Sequence, residues 1–177
     1  EDDAAPRLRS REHPEGMDRS LIPRRWHAYL EKHNTLIEVW LRVLRAALQG
    51  STEVIIEFAA DIGDVSNTRY GSARFEHHGS FFQLEGVRQL KADFGLVLIS
   101  APFCFWGSPL RKWFSLLCSP RIAKEIRWFE NLACTHSKHA QIARGFDEHG
   151  HSLSRRSGEY RESWCHDIAN AVARAVN

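Results

Sequence analysis

Cys134, His136 and His139 stand within one short stretch of the chain, and thiolate and imidazole are the ligand types that zinc takes in small protein sites. His149 and His151 follow about ten residues later in a polar region with no core of its own. The chemistry open to this cluster is metal binding; a polar, partly exposed loop is the plainer alternative. A Cys-x-His-x-x-His spacing is not that of a zinc finger, so ligands this close would have to come from a turn. Glu57 closes the apolar run Glu53 to Ala59, and an acid at the end of a buried strand is either paired or at work on a substrate. Arg111 and Lys112 open another apolar run. They could meet a phosphate or a base edge, although a basic pair at a strand start is more often solvated or matched by a carboxylate. His77 and His78 lie beside Gly79 and Ser80, as a switch, a site or an ordinary exposed loop. Ser-His-Asp hydrolysis is not supported, because no nucleophile elbow occurs.

These residues must be positioned by the elements around them. Trp26, Tyr29, Leu30, Ile37, Trp40, Leu41, Leu44 and Leu48 fall at the helical period, and Gly50 ends that helix. Glu53–Ala59, Phe94–Ser100 and Lys112–Cys118 are short apolar runs that predict buried strands. Leu84 to Leu90 reads as a short helix between the first two. The link between the second and third strands is short enough to return the chain antiparallel. Ser119-Pro120 predicts a helix start, continued by Ile122, Ile126, Phe129 and Ala133. Residues 136 to 157 read as a polar loop, and Tyr160, Trp164, Ile168, Ala171, Val172 and Ala175 line a terminal helix. Residues 1–25 hold six Arg and six acids with little apolar periodicity. They predict an extended N-terminal arm, ordered only if something holds it, ahead of a single α/β domain over 26–177.

A chain of 177 residues with 43% hydrophobic and 26% charged residues has a globular balance. Its 6 Trp and 10 Phe can fill a core without disulfide staples. The formal charge of +2 is too small to argue for nucleic acid by itself. Four cysteines lie far apart with no Cys-x-x-Cys pair, so a reducing compartment is expected, with nucleus or organelle open. No apolar run reaches the roughly 18 residues of a membrane span. The first residues, Glu1-Asp2-Asp3, lack an initiator Met, which reads as a processed chain or part of a longer one.

Several stretches resemble one family in chain order. They are Pro6-Arg7-Leu8-Arg9-Ser10 with Pro14-Glu15-Gly16, Asn34-Thr35-Leu36, Ile55-Ile56-Glu57, and Gly79-Ser80-Phe81-Phe82 with Val87-Arg88-Gln89-Leu90. Phe103-Cys104-Phe105-Trp106-Gly107-Ser108-Pro109-Leu110-Arg111-Lys112, the Cys134 to His139 cluster and Tyr160 to Ala169 follow. Together they are similar to the C-terminal half of cytosine-C5 DNA methyltransferase-like domains of the algal and retroelement type. The resemblance implies a partial Rossmann-like, methyltransferase-type sheet of about three strands flanked by helices. It also implies that Glu57 would hydrogen-bond a flipped base and that Arg111 would meet its carbonyl or the backbone. The sequence departs from the family where it matters for catalysis. No Gly-x-Gly-x-x-Gly turn is present, no Cys sits in a Pro-Cys loop, and Phe58-Ala59 and Trp113-Phe114 replace polar site residues by bulk.

The resulting expectation is a non-catalytic subunit or interaction module of a larger assembly, built on a degenerate methyltransferase-like scaffold. Other protein chains would cover the free edge of the first strand and the arm. No cofactor is expected for the chain alone, with zinc possible at Cys134, His136 and His139. The first alternative is a split DNA methyltransferase module whose partner supplies S-adenosylmethionine and the nucleophile. The second is a nucleic-acid-binding remnant using Arg111, Lys112, Arg121, Lys124 and Arg127.

Overall fold

The computed structural model describes residues 6–139 and 160–177. The described chain is α/β, with helices α1 (His27–Gln49), α2 (Glu85–Phe94), α3 (Pro120–Ile126) and α4 (Glu162–Val176), and strands β1 (Ile55–Ala59), β2 (Val97–Pro102) and β3 (Trp113–Cys118). It divides into two compact units, Glu1–Val54 with Asp61–Leu96, and Ile55–Ala60 with Val97–Asn177.

In the first unit, the wide apolar stripe of α1 packs closely on α2. A Cβ placed on Gly86 would come within 2.5 Å of Leu41 Cδ1, and Arg45 pairs with Asp93 at 2.8 Å. The charged N-terminal segment is held within this unit. Ser10 bridges His78 in antiparallel fashion, Arg11 Nη2 donates to both carboxylate oxygens of Asp61 at 2.8 and 2.9 Å, and Arg9 donates to Asn34 Oδ1. Short 3-10 turns at Arg19–Leu21 and Arg24–Trp26 interrupt the extended course expected of it.

The second unit is built on the sheet, in the order β1-β3-β2. Both ladders are antiparallel, with Ile56 opposite Leu117 and Ile99 opposite Leu116. The short connection from β2 to β3 therefore reverses the chain as expected. A Rossmann-type sheet is mostly parallel; here only the non-adjacent β1 and β2 run the same way, with β3 between them. Every residue of β3 is buried, which explains why its sequence is a continuous apolar run rather than an alternation. Period-2 geometry sends Phe114, Leu116 and Cys118 of β3 and Ile99 and Ala101 of β2 into one core with Ile122, Ile126 and Phe129, and with Trp164, Ala171 and Ala175 of α4. Burying apolar surface at about 25 cal/mol per Å² makes this layer the main source of the unit's stability.

Two element boundaries depart from the sequence reading. Phe94 is the last residue of α2 rather than the first of a strand, because Gly95 takes a left-handed conformation (φ 62°) that caps the helix; β2 then starts only at Val97. The helix after Ser119 is regular only to Ile126 and tightens into a 3-10 turn at Arg127–Asn131. Ser119 occupies the N-cap position without a side-chain cap bond; its carbonyl accepts from Ala123 N–H at 2.9 Å.

Candidate metal centre

Two separate segments of the second unit bring cysteine and histidine together. β2 runs into the turn Phe103–Trp106, which carries Cys104, a residue only 5% exposed. After α3, the turn Arg127–Asn131 leads to Cys134, His136 and His139. The two turns are fixed against each other by aromatic packing, with Trp106 and Phe129 at 4.9 Å between ring centroids. Phe129 is fully buried. Trp106 Nε1 also donates to Asp167 Oδ2 of α4 at 2.8 Å, which ties the Cys104 turn to the terminal helix.

The donor atoms of Cys104, Cys134, His136 and His139 all lie within 4.8 Å of one another. Cys134 Sγ is 3.0 Å from His139 Nε2, and the two imidazoles have centroids 5.1 Å apart. A tetrahedral ion with metal–sulfur bonds of about 2.3 Å and metal–nitrogen bonds of about 2.0 Å sets neighbouring donors about 3.5 Å apart. The four donors, all within 4.8 Å of one another, are near that spacing.

The electrostatics of the cluster favour the neutral forms of Cys104 and His139. Burial pushes the Cys104 thiol up to about 11, and its hydrogen bond to and charge repulsion from Cys134 add to the rise. Two thiols side by side cannot both ionise cheaply without a positive charge between them. His139 is lowered from its ordinary value, first by burial and then by the nearby positive charge of His136 and Arg111. A lowered imidazole is neutral near pH 7 and keeps the lone pair a metal needs.

Of the residues singled out by spacing, Cys134, His136 and His139 do come together, and Cys104 joins them from 30 residues earlier. The sequence signal for Cys104 was its place in a turn directly after a strand, where loops gather at one end of a sheet. His149 and His151 lie outside the described residues.

Glu57 stands in the middle of β1 rather than at the strand end expected from the sequence, because pairing with β3 continues through Phe58 and Ala59, and it forms a separate polar cluster. Tyr160 donates to its Oε2 at 2.7 Å, and Lys112 Nζ lies 4.0 Å from its Oε1. Lys112 also sits 4.9 Å from the centre of the Phe103 ring. Glu57 and Lys112 are thus partners of each other. Arg111 is exposed, and its positive charge contributes to the lowering at His139. Arg121, Lys124 and Arg127 are exposed on α3 and the turn after it, with Arg127 3.7 Å from Glu130. Cys118 is fully buried in the core, with its thiol pushed up to about 12 by burial, as its strand-end position predicted. No described helix is long and apolar enough to cross a membrane.

Compared with protein-family models, curated proteins and solved structures, the chain matches none of them.

Proposed function

We propose that this chain is a non-catalytic interaction module whose second unit is pinned by a structural zinc ion at Cys104, Cys134, His136 and His139. The observation that carries the reading is the convergence of two thiols and two imidazoles from two turns within 4.8 Å. Two sulfur and two nitrogen donors in a tetrahedral arrangement suit zinc, and four protein ligands leave no position for a substrate or an activated water. The site therefore supplies folding energy rather than chemistry. It cross-links the end of β2 to the segment after α3, adding to the aromatic contacts of Phe105 and Trp106 with Trp128 and Phe129.

The scaffold is read as a degenerate, methyltransferase-like half-sheet. Its support is the resemblance in motif order and one topological feature: β1 and β2, though not adjacent, run the same way in one sheet and are joined through a segment containing α2. The engagement of Glu57 by Tyr160 and Lys112 makes a structural tie the simpler role for that carboxylate. S-adenosylmethionine has no role in the chain alone.

The test is the metal content of protein purified without chelators, followed by cobalt substitution. One zinc per chain is expected, with a thiolate-to-cobalt charge-transfer band that weakens in Cys104→Ser and in Cys134→Ser. Absence of metal, or a spectrum indifferent to Cys104, would overturn the metal reading; tight binding of S-adenosylmethionine by the isolated chain would overturn the non-catalytic one.

A further inference from the structure

The first unit contains a basic cavity, remote in sequence from the cysteines and different in chemistry. Arg7, Arg9, Arg74, His77 and His78 line a cavity of about 240 Å³. Among the described residues, no carboxylate lines it. In an extended segment, residues two apart share a face, and Arg7 and Arg9 both face the cavity while Leu8 does not. The opposite wall is brought up by the Ser10–His78 bridge and by Arg11 N–H donating to the His77 carbonyl at 3.2 Å. Gly79 permits that approach, since a Cβ there would come within 2.9 Å of the Ser10 carbonyl oxygen.

Among the described residues, carboxylates match these charges only in part. Among the described residues, neither Arg7 nor Arg74 has a carboxylate within ion-pair distance. Arg74 instead lies 5.7 Å from the centre of the Phe75 ring, which also lines the cavity. Arg9 is the anchored member: two of its donors go to Pro14 O and Asn34 Oδ1, and Glu15 is its nearby counter-charge. His77 leans toward Glu76, 3.4 Å away. Three guanidinium groups around one concavity repel each other unless an anion lies between them, and their planar forks match phosphate oxygens in pairs. Phe75 adds an aromatic wall on which a base could stack.

We propose that this cavity binds a nucleotide phosphate, with Arg7 and Arg74 holding the phosphate oxygens, Arg9 fixing the floor and Phe75 contacting the base. The phosphate could come from a free mononucleotide or from a single-stranded polynucleotide.

The test is a calorimetric titration of the full chain at low salt with adenosine 5′-monophosphate, adenosine, and a short single-stranded oligothymidylate, repeated with Arg7→Gln/Arg74→Gln. Both substituted side chains are exposed, so the variant should fold, and unchanged circular dichroism would show that it has. We expect binding of at least one phosphate-bearing probe, weakened tenfold or more in the double variant and weakened again as salt rises. Preference for the monophosphate would assign a free nucleotide. Preference for the oligonucleotide, with an affinity falling by about 0.7 log unit per log unit of salt for each phosphate held, would assign a polynucleotide. Equal binding of adenosine and its monophosphate, full affinity in the double variant, or no binding of any probe would overturn the proposal.

Discussion

Tyr160 donates its phenolic hydrogen to Glu57 Oε2 at 2.7 Å, joining the segment before α4 to the middle of β1 across 103 positions of chain. The same tyrosine ring stacks on Trp164 at 4.5 Å between centroids, with the planes 12° apart. Tyr160 is thereby a link between the terminal helix and the first strand. Its ionisation is pushed up to about 12, by burial first and then by the hydrogen bond and negative charge of Glu57. Glu57→Ala should bring that value part of the way back, since burial remains. Spectrophotometric titration at alkaline pH reads it directly, and an unchanged titration would mean that the bond is not formed. Tyr160→Phe should cost about 0.5–1 kcal/mol in urea unfolding, a modest figure because the ring is half exposed.

Removing the metal should loosen the second unit. With the ion in place, Cys104 and Cys134 are ligands and Cys118 is buried, which leaves the exposed Cys165 as the one cysteine open to alkylation. Mass spectrometry after brief iodoacetamide treatment should show modification at Cys165 alone. After chelation, Cys134 should react as well and the melting temperature should fall. Labelling of Cys134 at the same rate before and after chelation would contradict a metal bound there.

The Cys118 thiol gives a stability term with a definite sign. Its folded value is raised to about 12 from an ordinary 9.0 by burial. The folded state therefore holds this proton more tightly than the unfolded chain does, and the contribution is complete below about pH 9. It is lost as pH rises toward the folded value, by up to about 1.4 kcal/mol per pH unit. Between pH 9 and 11 the native chain should lose more stability than Cys118→Ala does. Parallel unfolding curves for the two proteins across that range would show that the thiol is not so confined.

Ser100 and Ser115 face each other on β2 and β3, with their hydroxyls 2.6 Å apart in the interior of the sheet. Ser100→Ala should destabilise the protein by about 1–3 kcal/mol, because the fully buried Ser115 hydroxyl loses this partner. The Ser100→Ala/Ser115→Ala double variant should cost less than the sum of the two single changes. Strict additivity in denaturant unfolding would show that the hydroxyls are uncoupled.

The elements were largely legible in the sequence because their signals are local. The stripe from Trp26 to Leu48 wrote out α1 through the helical period, and the three apolar runs marked the strands to within three residues at either end. The slip at Phe94 has a local cause too: an aromatic residue extends an apolar run in the sequence, yet Gly95 caps the helix there and assigns Phe94 to α2. The candidate site was legible only in part. Cys134, His136 and His139 could be seen together because they are neighbours in the chain. Cys104 could not be joined to them, since its place in a turn after a strand does not tell which other segment that turn meets.

The sequence alone determined the α/β elements, the burial of β3 and the donor types at Cys134, His136 and His139, because helical and strand periods and ligand chemistry are properties of adjacent residues. The tertiary structure decided which distant residues share a site. It placed Cys104 with the Cys134 cluster, Tyr160 on Glu57, and Arg7 and Arg9 opposite Arg74 and His78. The physical reason is the same in each case: strand pairing and aromatic packing set long-range distances, and they depend on the fit of whole faces rather than on any local spacing.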